Sequence, residues 1–462
     1  MHVLIEAVGS AGDVHPFLAI GQALQARGHE VDIVTSVYFA ERVAQAGLGF
    51  IPVGTREDYQ RATAQPDLWH PRRAFAVVWR ASNKQILPVY ELLQKHIRPG
   101  ETVLVGSTLA WSVRFAQEKL GVPAATVHLS PSCILSADAP PRLPGIGSWF
   151  GHLPRSWRRV LMDWVDTRVL DGVVRGDMNA MRAQIGLAPV SRVFRQWQHS
   201  PQAVICAWPD WFCDTQTDWP ANSMTTGFPL WRAARKPIAE RSEPETPSFP
   251  RRRESSGFDE AELTSLDSRL RGNDGEGMRD DLEDFLVAGE APIGFTPGSA
   301  MAFGKPFFER ALKACETLGK RALFITPFAE QLPWSMHGTA PEFVHHARYV
   351  PFDLLVPRLA AFVHHGGIGT TAQTMAAGVP QMITPFAHDQ FDNAGRVERL
   401  GCGAQLSAKA PPKKWANALA HLLHDVEVRT ACQRVQALMA DEAGVLDQIV
   451  ARIEALQPGA GQ

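Results

Sequence analysis

The sequence predicts an α/β protein of two lobes, each a parallel sheet wrapped by helices. Three observations carry this. Short β-branched runs bordered by Gly and Pro alternate with helical patterns, the rhythm of parallel strands joined by helical crossovers. The alternation begins twice, at residue 3 and again near residue 290, with a change of composition between. Each series also holds a Gly-rich strand-to-helix turn, where the unpaired N–H groups of a helix N-terminus face outward.

In the first series VLIEAV from Val3 reads as a strand, followed by a Gly-rich turn, the helix PFLAIGQALQARG and the strand EVDIVTS. ETVLVGS from Glu101, AATVHLS from Ala124 and AVICAWP from Ala203 continue the beat. The second series runs PIGFTPG, a helix around Phe307 to Leu318, RALFITP, ARYVPF, AFVHHGG, a helix from Gly369, QMITP and a helix from Asp389. Short lengths and Gly/Pro borders favour strands over buried helix segments. The expected organisation is a first lobe over 1–234, a linker over 235–279, a second lobe over 280–442 and a C-terminal helix and tail over 443–462.

The linker reading rests on composition. From Arg235 to Arg279 aliphatic residues are few and Pro, Ser, Glu and Arg many, so the segment cannot bury enough surface to offset its ordering entropy. Its length far exceeds the usual ceiling of about 12–15 residues for a structureless connection. The pieces FPRRRES and LDSRLRGNDG resemble the translated product of a dispersed bacterial repeat element. Arg251, Arg252 and Arg253 stand among acidic residues that offset them. The stretch from Gly147 to Gly176 carries Trp149, Trp157 and Trp164 with Arg155, Arg158 and Arg159. It reads as a core-packing helix with a solvated basic face; the competing readings are a helix on a membrane surface and a wall of an acceptor cleft.

Forty-six basic against 48 acidic residues, net −2, remove the strongest reason to expect nucleic acid as a partner. The six cysteines, Cys133, Cys206, Cys213, Cys315, Cys402 and Cys432, show no CxxC and no metal-ligand spacing, as expected of thiols in a reducing cytoplasm. MHVLIEAVGSAGD lacks a basic leader and has Glu6 inside its apolar run, so it reads as a strand and not as a signal peptide. No 18 consecutive residues are apolar, so the protein is expected to meet a membrane only peripherally, on its inner face.

The first turn is Gly9-Ser10-Ala11-Gly12-Asp13-Val14-His15-Pro16. A dinucleotide fingerprint needs GxGxxG and an acidic residue ending the second strand; here the spacing is GxxG and the strand ends Val34-Thr35-Ser36. What the turn does offer is an ionisable pair, Asp13 and His15, where an α/β fold opens its strand ends to a cleft. The competing reading has Asp13 capping the first helix.

The second lobe is more informative. AFVH runs into His365-Gly366-Gly367-Ile368-Gly369-Thr370-Thr371 and a helix, a turn whose amides can hold an anion, with the His365 imidazole as a further donor. After the next strand come Asp389 and Gln390, a carboxylate and an amide suited to several sugar hydroxyls. Asp389 can alternatively cap its helix. By alternation His364 points away from His365 and reads as a packed or surface residue. A metal site from His364, His365 and His388 is disfavoured, since no HExxH or acidic cluster accompanies them.

HHGGIGTT followed by GVPQMITPFAHDQFDNAGRVERLGCG, with GSAGDVHPFLAIGQAL and FTPGSAM, resembles the family 1 glycosyltransferases of GT-B fold. The resemblance is to the bacterial branch with glycopeptide and macrolide glycosyltransferases, sterol glucosyltransferases and the rhamnolipid rhamnosyltransferase. It covers most of both lobes and excludes the linker. It implies two Rossmann-like lobes facing across a cleft and inverting transfer of a hexose from a UDP- or dTDP-sugar to a hydroxyl of a small-molecule or lipid acceptor, without metal or cofactor. By position it implies Asp13 as general base, assisted or replaced by His15, beside the loop of Gly9, Ser10 and Gly12. It implies His365 as diphosphate ligand with Gly366, Gly367, Gly369 and Thr370 around it, Ser299 near the phosphates, and Asp389 with Gln390 on the sugar. Tyr349 stands where many relatives stack a tryptophan on the base, with Val350 beside it. The region Thr55 to His96, with Trp69, Phe75, Val77 and Trp79, is expected to wall the acceptor. Two rivals are a nucleotide-sugar epimerase of the same fold and a non-catalytic nucleotide-sugar-binding paralogue.

Overall fold

The computed structural model describes residues 1–142, 150, 152–232, 277–335 and 338–456. Residues 235–276 of the linker expected over 235–279, with its three arginines, and Trp149 lie outside the described residues. The helix Gly277–Val287 begins inside the stretch read as linker.

Two all-parallel sheets form the frame. The first contains β1 (His2–Glu6), β2 (Glu30–Ser36), β3 (Gly49–Val53), β4 (Thr102–Ser107), β5 (Ala124–His128), β6 (Ala203–Cys206) and β7 (Ser223–Thr225) in the order β3-β2-β1-β4-β5-β6-β7. The second contains β8 (Ile293–Thr296), β9 (Ala322–Ile325), β10 (Val344–Ala347), β11 (Ala361–His364), β12 (Gln381–Ile383) and β13 (Gly403–Gln405) in the order β10-β9-β8-β11-β12-β13. Helices cover both faces, so successive residues of inner strands are buried on either side: Val3, Leu4 and Ile5 are all fully buried.

The strand order reverses beside β1 in the first sheet and beside β8 in the second, and ligands of open α/β sheets bind beyond the strand ends at such points. The loops there are those after β1 and β4, and after β8 and β11.

Sequence reading and structure part company at the sheet edges. β3, β7 and β13 were not expected, and the strand expected at ARYVPF lies earlier, at Val344–Ala347. These four are the edge strands. Edges are short and half solvated, and Pro52 and Pro351 fall where an inner strand would need an N–H. After β10, Tyr349 and Val350 therefore lie in a loop leading to the turn Phe352–Leu355.

The helix Arg155–Trp164, continued by a π-helical turn Val165–Leu170 and the helix Asp171–Gln184, corrects a second expectation. Its basic residues do reach solvent: Arg155 and Arg159 are exposed, although Arg155 also binds Asp138, Arg158 donates to the Asp138 carbonyl and Asp163 holds Arg192. The unexpected side is the apolar one: Trp157, Val160 and Trp164 face outward as well, at 68%, 71% and 54% exposure.

The C-terminal helix Glu442–Glu454 returns to the first lobe, packing on the first helix, Ala11–Ala26, and on β6. Ile449, Val450 and Ile453 are fully buried there, and Glu454 accepts from Arg27 and His29, each at 2.8 Å. No described helix is long and apolar enough to cross a membrane.

Candidate active site

Ser10 is the N-cap of the helix Ala11–Ala26 and Asp13 its third residue. The two form a reciprocal cap: the Ser10 backbone N–H and hydroxyl both donate to Asp13 Oδ2, at 2.8 and 2.9 Å. Asp13 is thus not the N-cap residue, yet it serves the cap through one oxygen, and Oδ1 has no hydrogen-bond partner among the described residues. Burial raises its pKa, Ser10 opposes the rise, the nearby Asp389 charge adds to it and His388 opposes it. His15 does not bond to Asp13. Its ring lies 4.7 Å from that of Trp231, and burial, with Arg42 nearby, lowers its pKa to about 4, so it is neutral.

Across the cleft, β11 delivers His364 and His365 to opposite sides. His364 is fully buried, with Nε2 against Gln381 Oε1 at 2.9 Å and Nδ1 accepting from the Gly366 N–H. The His365 ring is sandwiched by glycines: a Cβ on Gly298 would lie 3.0 Å from the ring, and one on Gly367 2.6 Å from Nε2. His365 is half-buried; its Nδ1 is buried with no partner among the described residues, and burial lowers the imidazole pKa to about 3. A neutral imidazole with that nitrogen unpartnered, beside the amides that open the helix Ile368–Ala376, is the donor set a phosphate oxygen needs. Gly366 turns the chain at φ +96°, with Ile383 and the Gln390 carbonyl filling the space of any side chain. Ser299 is exposed in the loop after β8, and Thr370 is half-buried in the first turn of that helix.

Asp389 precedes the helix Gln390–Leu400 without capping it through its side chain. Its Oδ2 instead accepts from Asn393 Nδ2 at 2.8 Å. Burial raises its pKa to about 6, against the lowering bond from Asn393. Gln390 spends its carbonyl oxygen on the N–H groups of Phe386 and Ala387, leaving the NH2 to offer a ligand. His388, just before, has a left-handed backbone at φ 59°, a strained conformation of the kind found at functional sites.

The lobes meet here. A Cβ on Gly369 would come within 3.3 Å of the Gly12 Cα, so the two Gly-rich helix starts touch backbone to backbone. The Arg42 guanidinium sits 4.3 Å from the centroid of the Tyr349 ring, which is half exposed. Trp69 contacts the His388 ring edge-on at 6.1 Å. Asn393, fully buried, also donates to the Gly366 carbonyl at 2.9 Å and accepts from Ser130 of the first lobe at 3.1 Å. Sequence reasoning missed Asn393, Ser130 and Arg42. Asn393 stands four residues after Asp389 on one helix face, a spacing that signals contact; Ser130 and Arg42 have no local signal.

Only part of the expected acceptor wall faces the cleft. Val77 and Trp79 are core residues at 2% exposure, Trp79 donating to Asp177 and packing on Trp111, and Phe75 packs on Phe194. Trp69 remains beside the site. A cavity of about 780 Å³ lies apart, lined by Arg159, Val160, Asp163, Arg192, Arg195 and His199 among others. Among the described residues, a trio at metal-ligand spacing, His2, Glu30 and Asp32, sits where β1 and β2 begin, at the opposite end of the sheet from the cleft.

Comparison with known proteins agrees with this fold. Residues 3–137 match the family model for the glycosyltransferase family 28 N-terminal domain, and residues 328–456 that for the erythromycin biosynthesis protein CIII-like C-terminal domain. The chain is similar to O-mycaminosyltylonolide 6-deoxyallosyltransferase of Streptomyces fradiae, at 26% identity over 96% of this chain and 95% of that one. The fold matches the glycotransferase of kitacinnamycin at a TM-score of 0.67, 17% identity and 99% coverage of both chains. It matches the spinosyn rhamnosyltransferase SpnG complexed with thymidine diphosphate at 0.60, with 17% identity, 97% of this chain and all of that one. The chain is a glycosyltransferase of GT-B fold. It resembles the branch that glycosylates macrolide- and sterol-type molecules.

Proposed function

We propose that this protein moves a hexose, with inversion, from a UDP- or dTDP-sugar to a hydroxyl of an apolar small molecule or lipid, using Asp13 as base and no metal ion. The observation that carries the proposal is the meeting of two helix starts: the half-buried Asp13 carboxylate on one and His365, its Nδ1 without a partner among the described residues, on the other, joined where Gly12 touches Gly369.

In this reading the acceptor oxygen attacks the anomeric carbon while Asp13 takes its proton. The bond from that carbon to the diphosphate oxygen breaks, and its electron pair leaves with the nucleoside diphosphate. A positioned base is typically worth about 10²–10⁴-fold, and burial moves Asp13 toward the working pH, making it a better one. The charge developing on the diphosphate is met by the 366–370 amides, the helix dipole and His365, donors already fixed in place, which supports a metal-independent reaction. The Asp389 carboxylate and the Gln390 NH2 take sugar hydroxyls, and Tyr349 offers its ring to the base. The tylonolide transferase acts on a macrolide and SpnG was solved with thymidine diphosphate, which supports an apolar acceptor and a dTDP- or UDP-sugar.

The test pairs two variants. Asp13→Asn should keep nucleotide-sugar affinity while transfer falls by about 10²–10⁴-fold; full turnover would remove Asp13 from the chemistry. His365→Ala should weaken UDP or dTDP binding, and unchanged affinity would remove its phosphate role. A mass-resolved screen of UDP- and dTDP-hexoses against hydroxylated lipids and aglycones identifies the substrates. Conversion of the sugar with no acceptor present would mark an epimerase, and binding without turnover on any acceptor a non-catalytic paralogue.

A further inference from the structure

The geometry points to a membrane-docking face on the first lobe: the helix Arg155–Trp164 lies on an anionic phospholipid surface through Trp157, Val160 and Trp164. This does not depend on the transfer reading.

The helix is amphipathic and sits in the lobe with its apolar side out. Trp157, Val160 and Trp164 follow i, i+3, i+7 and share one face of the α-helical segment. Each is more than half exposed, whereas Met162, on the opposite side, is buried. Several of its charged residues are tied to the lobe while still reaching solvent: Arg155 to Asp138 and Thr217, Arg158 to the Asp138 carbonyl, Asp163 to Arg192 and Arg195. An isolated exposed tryptophan needs no explanation; two of them two turns apart, with a valine between, form a contiguous patch that a soluble surface seldom carries. Trp at the edge of an apolar face is the residue favoured at the lipid headgroup level.

Charge selects the partner. The carboxylates along 155–184 are all occupied or buried: Asp163 in its ion pairs, Asp166 fully buried, Asp171 accepting the N–H groups of Arg192 and Val193, Asp177 accepting from Trp79 and Asn83. Arg159, Arg168 and Arg175 form no ion pair among the described residues and are exposed. Beside Val160 the 780 Å³ cavity presents Arg159, Arg192 and Arg195 against the carboxylates of Asp163 and Asp218, a recess with an excess of guanidinium. A second copy of this face would set these arginines against their own images. Anionic headgroups would neutralise them while the tryptophans enter the interface.

Co-sedimentation of the full chain with vesicles tests this. Binding is expected to equimolar phosphatidylcholine and phosphatidylglycerol, to weaken with salt, and to be feeble with phosphatidylcholine alone. Trp157→Ser with Trp164→Ser should reduce partitioning by more than about tenfold with thermal midpoint unchanged, since both side chains are exposed. Should that pair fold poorly, Arg159→Glu with Arg168→Glu should remove the preference for the anionic vesicles. Absence of binding to the anionic vesicles, binding indifferent to both pairs of substitutions, or a concentration-dependent dimer abolished by the tryptophan substitutions would each overturn the assignment.

Discussion

At the scale of single residues, burial sets the chemistry. Asp389 lies close enough to Asp13 for its charge to be felt there, both carboxyls are raised chiefly by burial, and Asp389 reaches about 6. A base must be unprotonated to act, and burial raises the Asp13 carboxyl, so kcat/KM should fall with dropping pH already above the ordinary aspartate value of 3.8. A pH–rate profile flat down to pH 4 would show that burial does not tune the base. Glu6 offers a test of stability away from the chemistry. It ends β1, fully surrounded, with Ser112 Oγ donating to it at 2.5 Å, and burial raises its pKa from 4.5 to about 7. The folded protein therefore holds this proton more tightly than the unfolded chain, so the stabilisation is complete below pH 4.5 and is lost as the pH rises through about 7. Glu6→Gln should stabilise by on the order of 3 kcal/mol at pH 8 and by little at pH 4.5, read as thermal midpoints at the two values.

At the scale of elements, the site is two helix starts and a clamp. Asn393 joins Asp389, the Gly366 carbonyl and Ser130, so one side chain fixes the sugar-facing carboxylate, the phosphate turn and the other lobe. It leaves buried partners unpaired when removed, a loss of about 1–3 kcal/mol. Asn393→Ala should raise KM for the nucleotide sugar while affinity for the bare nucleoside diphosphate holds. Equal weakening of both would show a general loss of the lobe and not a positioning role. The turns themselves were legible in the sequence, because glycines before a helix have one obvious use. Which Asp389 oxygen is occupied, and that Gln390 has only its NH2 to give, was not, since those bonds cross turns that the sequence does not pair.

At the scale of the whole molecule, the last helix ties the ends of the chain together. Glu442–Glu454 follows the second lobe in sequence and packs on the first, with Arg27 bridging Asp447 and Glu454. Ile453→Ala should cost about 2–5 kcal/mol and lower a single thermal transition; two separated transitions would show that the helix does not couple the lobes. The alternation of strands and helices, its restart near residue 290 and the residues of both Gly-rich turns were determined by the sequence alone, because hydrophobic period and backbone freedom are local properties. The edge strands escaped it, since half-solvated runs carry little hydrophobic signal. Only the tertiary structure decided which face of the helix Arg155–Trp164 meets water, that Trp79 is core while Trp69 borders the cleft, and that Gly12 meets Gly369. Each of these depends on what another segment presents, from Asp138 beside Arg155 to Gly369 beside Gly12, and no local pattern encodes such a neighbour.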